Sequence, residues 1–169
     1  YASPIDKLND PTEGVFNCKD FIENQSQKSI KNIEDLNFLA EIFSNSGIFS
    51  LSKNIKNELL WAYYASGHTG YAIEYDIDIL KDCFNFVKGC ELAHDFDVKY
   101  EKNTPKIPLN LLDKENLYEF FKIFIGTKSK AWKHEKERRL LFNCSGLKEY
   151  DYRAVTGIYF GFKIENREM

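Results

Sequence analysis

A chain of 169 residues with 43% hydrophobic residues has the size of one domain and enough apolar side chains to bury a sizeable core. Its 26 acidic and 23 basic residues leave a net charge of −3, so there is no global drive toward nucleic acid or anionic lipid; nucleic acid is not an expected partner, and any such binding would need a local patch. No apolar run approaches the ~18 residues of a membrane span, and Cys18, Cys83, Cys90 and Cys144 stand at no zinc-like spacing from His68, His94 and His134, so the expectation is a cytoplasmic protein with reduced thiols, no metal and no membrane partner.

Tyr1-Ala-Ser-Pro reads as the end of a strand that runs into the turn-rich loop Asn9-Asp-Pro-Thr-Glu-Gly14, since Pro11 fixes its own φ and Asx side chains satisfy turn backbone. The chain thus starts within a strand, which fits a missing first strand upstream. Ile30, Ile33, Leu36, Leu39, Ala40 and Phe43 recur at helical spacing and predict a first long helix over 29–45, with Gly47 as a left-handed cap. Gly47 to Ser52 is a short strand candidate. A second helix is expected over 57–66, stopped at Gly67, and Tyr71, Ile73 and Tyr75 alternate with Ala72, Glu74 and Asp76 as a half-buried strand. A helix over 77–84 follows, then a strand carrying Phe96, Val98 and Tyr100. Leu117, Phe120, Phe121, Phe124 and Ile125 make the clearest amphipathic helix, capped by Asp113 and Gly126, and 137–143 and 157–163 read as the last strands. Without a βαβ rhythm or a Gly-x-Gly-x-x-Gly turn, the pattern predicts a single α+β domain over 1–169, with a mainly antiparallel mixed sheet flanked by about four helices.

Polar and aromatic residues concentrate at the boundaries of these elements, where function is more common than packing. If the last-but-one strand already begins at Glu135, period-two alternation puts Glu135, Glu137 and Arg139 on one face. Two converging carboxylates can orient a sugar hydroxyl, stabilise an oxocarbenium-like charge or activate a nucleophile; the plain reading is a solvated, charged strand edge. Trp61, Tyr63 and Tyr64 lie on a helix that ends at Gly67-His68-Thr69-Gly70, whose glycines let backbone approach a ligand while His68 donates or accepts near neutral pH. The plain reading of Tyr63 is core packing, which its spacing favours, and that of Gly67 is a helix cap. Ser50 and Ser52 alternate on their strand and can offer hydroxyls to a ribose or simply cap a strand end. Lys128, Lys130, Lys133, Lys136, Arg138 and Arg139, with His134 among them, could receive a phosphate, but Glu135 and Glu137 cut the local charge and most such runs are a solvated face.

Three blocks carry a resemblance: Asn9-Asp-Pro-x-Glu13, then Leu60-Trp-Ala-Tyr-Tyr-Ala-x-x-His-x-Gly-x-x-Ile-Glu-Tyr-Asp76, then Lys128-x-x-x-Trp132-x-x-Glu135-x-Glu137-Arg138 followed by a strand. Their order resembles the bacterial family catalogued as domain of unknown function 2971. That family's pattern is similar, more distantly, to the ADP-ribosyltransferase-like fold, which uses a basic or histidine residue on its first strand, an aromatic or serine-bearing second element and a late glutamate to hold and activate nicotinamide adenine dinucleotide (NAD). The resemblance implies Glu137 as the charge-stabilising glutamate and Glu135 as the group orienting an acceptor. It further implies Tyr64, Ser50 and Ser52 on the substrate side; with His68 and Trp61 of the glycine-flanked turn and its helix, and Asn9, Asp10, Trp132 and Arg138 of the quoted blocks, these make up the candidate substrate-binding set. The first-strand residue has no match here.

The expectation is therefore a nucleotide-sugar-handling enzyme of ADP-ribosyltransferase or NAD glycohydrolase type, with NAD as substrate and a macromolecular acceptor, and by fold-level analogy an effector in bacterial phage defence or a toxin. The competing expectations are a non-catalytic domain that binds a ligand or protein partner in the same cleft and a nucleic-acid-processing module. In the catalytic reading Glu137→Gln keeps the fold, barely moves stability and lowers turnover; if Glu137 is instead a structural ion-pair partner of Arg139 or a lysine across the sheet, the same change perturbs melting.

Overall fold

A computed structural model describes residues 1–8, 41–84, 89–103, 105 and 116–164. In chain order its strands are β1 (Ser3–Pro4), β2 (Gly47–Ser52), β3 (Tyr71–Tyr75), β4 (Leu92–Asp97), β5 (Lys99–Glu101), β6 (Thr127–Ser129), β7 (Glu137–Phe142) and β8 (Val155–Phe160), and its helices are α1 (Glu58–Tyr64), α2 (Ile77–Phe84) and α3 (Leu117–Phe124). The architecture is mixed α+β. β1, β2, β7 and β4 form an antiparallel sheet in that order, β3 and β8 form an antiparallel ribbon, and β5 pairs with β6 in parallel.

Strand β7 fixes the layers because it lies inside the sheet with both faces covered, which is why Leu140, Leu141 and Phe142 are all buried rather than alternating. On one face Leu141, Ile48 and Phe96 pack with Ile5, Phe120, Phe121 and Ile125, the last three from α3 and its end. On the other, Leu140 and Phe142 pack with Ala2, Ala154 and the α2 residues Leu80 and Phe84, with Phe84 edge-on to Phe142 at 4.9 Å between ring centroids. Burial of each such large side chain contributes about 1.5–3 kcal/mol before the entropy of ordering it is subtracted.

The strand over 47–52 and the helices over 77–84 and 117–124 form where the periodicity placed them. Of the long first helix only 41–45 falls among the described residues; it is helical, and Phe43 meets Phe120, Phe121 and Phe124 at 4.6–5.7 Å. Asp113 and the loop with Asn9 and Asp10 lie outside the described residues. Helix α1 starts one residue late because Asn57 is its cap, accepting the Leu59 N–H on its side chain at 2.9 Å.

Three expectations are corrected. Gly47 is not a left-handed cap but the first, buried residue of β2, where a Cβ would press on the Cys144 carbonyl and the Ala2 side chain. The single strand through Phe96, Val98 and Tyr100 is two strands, because after Val98 donates to the Glu137 carbonyl the chain leaves β7 and Lys99 donates to Gly126 instead. Cys90 and Cys144 are not free thiols. They form a disulfide, with Cα atoms 5.3 Å apart, because the antiparallel register Leu92↔Phe142 brings the residues two positions beyond each strand end opposite one another. Cys83 remains a free thiol, and Cys18 lies outside the described residues.

Candidate functional site

The face of the central sheet that carries Leu141 and Ile48 changes character halfway along. Strand parity puts Arg139 and Glu137 on the same side as Leu141, and the register Ser50↔Arg139 and Ser52↔Glu137 puts both serines beside them. Arg139 and Glu137 are buried, at 1% and 6% exposure, whereas Ser50 and Ser52 on the neighbouring strand are exposed. The polar end of this face is thus closed over β7 and open over β2.

Glu135 reaches the same place by a route the alternation did not foresee. It lies outside β7, at the end of a 3-10 helix over Lys130–Glu135, and Lys136 between the glutamates takes a left-handed backbone with φ of 47°. That residue turns the chain into the strand. The two carboxylates then converge through a common cation: Lys128, buried on β6, donates from Nζ to Glu135 at 2.6 Å and lies 3.3 Å from Glu137. Arg139 forks onto Glu137, Nε at 2.7 Å and Nη2 at 3.0 Å, and its Nη1 donates to the Ile125 carbonyl. Two buried anions are matched by two buried cations, the arrangement that makes burial of charge tolerable.

Hydroxyl groups complete the cluster. Tyr64, whose side chain reaches back from α1, donates to Glu135 Oε1 at 2.7 Å while the residue stays 51% exposed. Ser52 donates to the Glu135 carbonyl at 2.7 Å, and the Tyr100 hydroxyl accepts the Glu137 N–H at 2.8 Å. Burial pushes the Glu137 carboxyl up, but Arg139, Lys128 and the Ser50 hydroxyl outweigh that effect and hold it below its ordinary value, so it is ionised at neutral pH. The Lys128 ammonium also lies 4.9 Å from the Trp132 ring centre, a cation–π contact that ties Trp132 to the cluster.

Tyr64, Glu135, Glu137, Ser50, Ser52 and Trp132 are therefore brought together. Trp61 and His68 form a separate aromatic group one turn away: the His68 ring stacks on Trp61 at 6.1 Å and tilts against Phe162 at 4.3 Å, while the Trp61 indole N–H donates to the Ile55 carbonyl at 2.8 Å. The turn that carries His68 has left-handed backbone at three successive residues, Ser66, Gly67 and His68, with φ of 48°, 63° and 74°. Gly67 has the positive φ that glycine adopts without strain; Gly70 instead supplies close approach, its N–H donating to the Ala65 carbonyl at 2.9 Å. The left-handed backbone of His68 aims its ring at Phe162.

Arg138 does not join the candidate substrate-binding group. Odd and even positions of a strand face opposite ways, so Arg138 lies on the α2 side, bidentate to Asp95 at 2.5 and 2.7 Å, with Lys81 of α2 at 2.9 Å from the same carboxylate. The guanidinium of Arg138 holds the Asp95 carboxyl below its usual range. Sequence reasoning gave Lys128 only a possible phosphate-binding role, not that of counter-ion to the glutamates, and gave Tyr100 no role at the site. Lys128 stood in the quoted motif, and its signal was its position seven residues before Glu135. Tyr100 gave none, since its contact depends on the switch from β4 to β5. Among the described residues, no three His, Cys, Asp or Glu side chains are grouped to hold a metal ion, and no helix is long and apolar enough to cross a membrane.

These observations define a mixed α+β domain whose central sheet buries a charge-balanced Glu–Lys–Glu–Arg cluster under exposed hydroxyls. The model of a family described as a protein of unknown function, DUF2971, matches residues 60–140. The matched segment runs from α1 into β7 and so takes in Tyr64, Lys128, Glu135, Glu137 and Arg139, while Ser50 and Ser52 precede it. No curated protein and no solved structure matches the chain.

Proposed function

We propose that the polar end of the central sheet binds NAD, and that the domain is a nucleotide-sugar-handling enzyme of the ADP-ribosyltransferase type. The observation that supports this most is an ionised, buried Glu137 next to exposed Ser50, with Glu135 linked to the hydroxyl of Tyr64, a residue half exposed as a whole. When the bond between nicotinamide and ribose breaks, nicotinamide leaves with the electron pair and the anomeric carbon becomes positive. A carboxylate fixed before the reaction stabilises that charge without reorganising. Ser50 and Tyr64 are then the hydroxyls that meet the ribose, Trp132 offers aromatic surface to the nicotinamide, and Glu135 orients the acceptor, which loses a proton as it attacks.

The test is nicotinamide release from labelled NAD, normalised to folded protein. Tyr64→Phe and Ser50→Ala leave the ion cluster intact and should each lower release about tenfold or more. A defence or toxin role predicts growth arrest on expression of the wild-type chain and its relief by the same variants. A second reading, a non-catalytic ligand-sensing domain, is favoured by the fact that both carboxylates already have protein cations and so keep their shape without substrate. Calorimetric binding of NAD with no nicotinamide release would select it, and absence of both binding and release would end both readings.

A further inference from the structure

The segment Lys130–Glu135 is a 3-10 helix, in which side chains three residues apart eclipse one another. Trp132 and Glu135 form the inward row, half-buried and buried respectively, and Lys130 and Lys133 form an exposed row that the exposed Lys136 follows. The loop after β2 lies alongside. Lys53 N–H donates to the Lys136 carbonyl at 3.1 Å, and the Asn57 side chain donates to the His134 carbonyl at 2.7 Å, which brings Lys53 and Lys56 to the same edge. Lys53 is paired with Asp97 at 2.5 Å, but Lys56, Lys130, Lys133 and Lys136 have no carboxylate partner among the described residues. Glu135 and Glu137, whose presence in the run seemed to cancel its charge, are buried and engaged by Lys128 and Arg139. Glu58, at the start of α1, and Asp97, the partner of Lys53, are exposed acids on this edge. A chain of net charge −3 thus presents one locally basic ridge.

Aromatic surface adjoins it. Tyr63 is 59% exposed, and its ring meets Trp132 at 6.4 Å in an edge-type contact, so an exposed, braced aromatic ring adjoins the 3-10 helix that carries the lysine row. We infer that Lys56, Lys130, Lys133 and Lys136, with Tyr63, form a binding surface for single-stranded nucleic acid: the ammonium groups follow the phosphates, and an unstacked base lies on Tyr63. A duplex keeps its bases stacked and offers Tyr63 nothing. An acidic peptide satisfies the lysines alone. The surface is independent of any reaction at Glu137 and stands whether or not NAD is cleaved.

The experiment is fluorescence anisotropy of a labelled oligothymidylate across a salt series, with the matching duplex, poly-glutamate and phosphatidylserine vesicles as comparators. Single-strand affinity should fall with salt with a log–log slope of about −2 to −3, as three or four phosphate contacts require. The triple variant Lys130→Glu/Lys133→Glu/Lys136→Glu should weaken binding about tenfold or more with an unchanged melting temperature, since all three side chains are exposed. Tyr63→Ala should weaken the single strand and leave any residual duplex binding as it was. The inference is overturned by no binding at low salt, by tighter binding to poly-glutamate or vesicles than to the single strand, by a triple variant that binds like wild type, or by indifference to Tyr63→Ala.

Discussion

Glu137 accepts from both the Nε and Nη2 of Arg139 and has the Lys128 ammonium 3.3 Å away, all three side chains being nearly solvent-free. Removing its charge leaves two buried cations facing one carboxylate, and a buried pair broken on one side costs about 3–5 kcal/mol. Urea denaturation of Glu137→Gln should show a loss of that size, as the ion-pair reading with Arg139 and a lysine expects and the catalytic reading alone does not; a loss below ~1 kcal/mol would mean the pair is solvated in solution. Protonation probes the same contacts. Glu137 and Asp95 are held below their ordinary values of 4.5 and 3.8, so the unfolded chain takes up those protons at higher pH than the folded one. Their stabilisation is complete above those ordinary values and lost as pH falls through the lower folded ones. Burial lowers the His94 imidazole below 6.5, which adds an earlier, shallower loss as the unfolded chain protonates first. The melting temperature should therefore decline gently below 6.5 and steeply below 4.5, and His94→Gln should remove the first decline; a melting temperature that rises on acidification contradicts the assignment.

Helix α3 shows what a stripe of aromatics can specify. Phe120 and Phe121 are both 4% exposed, and Phe121 faces Phe43, His94 and the central sheet, so Phe121→Ala should cost about 3–5 kcal/mol in equilibrium unfolding. A cost under ~1 kcal/mol would place the stripe on the wrong side. Elements of this kind were legible because their periodicity records one covered face: β2, α2 and α3, and the half-buried β3. What the residues concealed depends on partners distant in sequence. The break between β4 and β5 exists because β6 competes for the backbone, and the Cys90–Cys144 bond follows from a β4–β7 register that no spacing rule reveals. Convergence of Glu135 and Glu137 was anticipated from a strand through both, yet it arises from the left-handed Lys136 and a shared Lys128. Arg138 was chosen over Arg139 on motif grounds, although alternation already assigned Arg139 to the glutamate side.

At the scale of the whole molecule, the disulfide joins residues 54 positions apart and in the chain-entropy view contributes about 4 kcal/mol by restricting the unfolded state. Reduction with dithiothreitol should lower the melting temperature markedly, and Cys90→Ser should reproduce the drop and make the protein insensitive to the reductant; equal melting with and without reductant in the wild type rejects the bond. The same link closes residues 90–144 into a covalent ring. Lys128, Glu135, Glu137 and Arg139 all lie on that ring, together with the lysine row at 130, 133 and 136, while Ser50 and Tyr64 belong to the arm that enters it. A protease that cuts once between 90 and 144 consequently opens the ring without releasing a fragment, so the nicked protein runs as one species on a non-reducing gel and as two after reduction. A cut between Tyr64 and Cys90 instead frees the arm with the hydroxyls from the ring with the charges, leaving only noncovalent contacts, the β2–β7 ladder chief among them, to hold the two halves of the candidate site together.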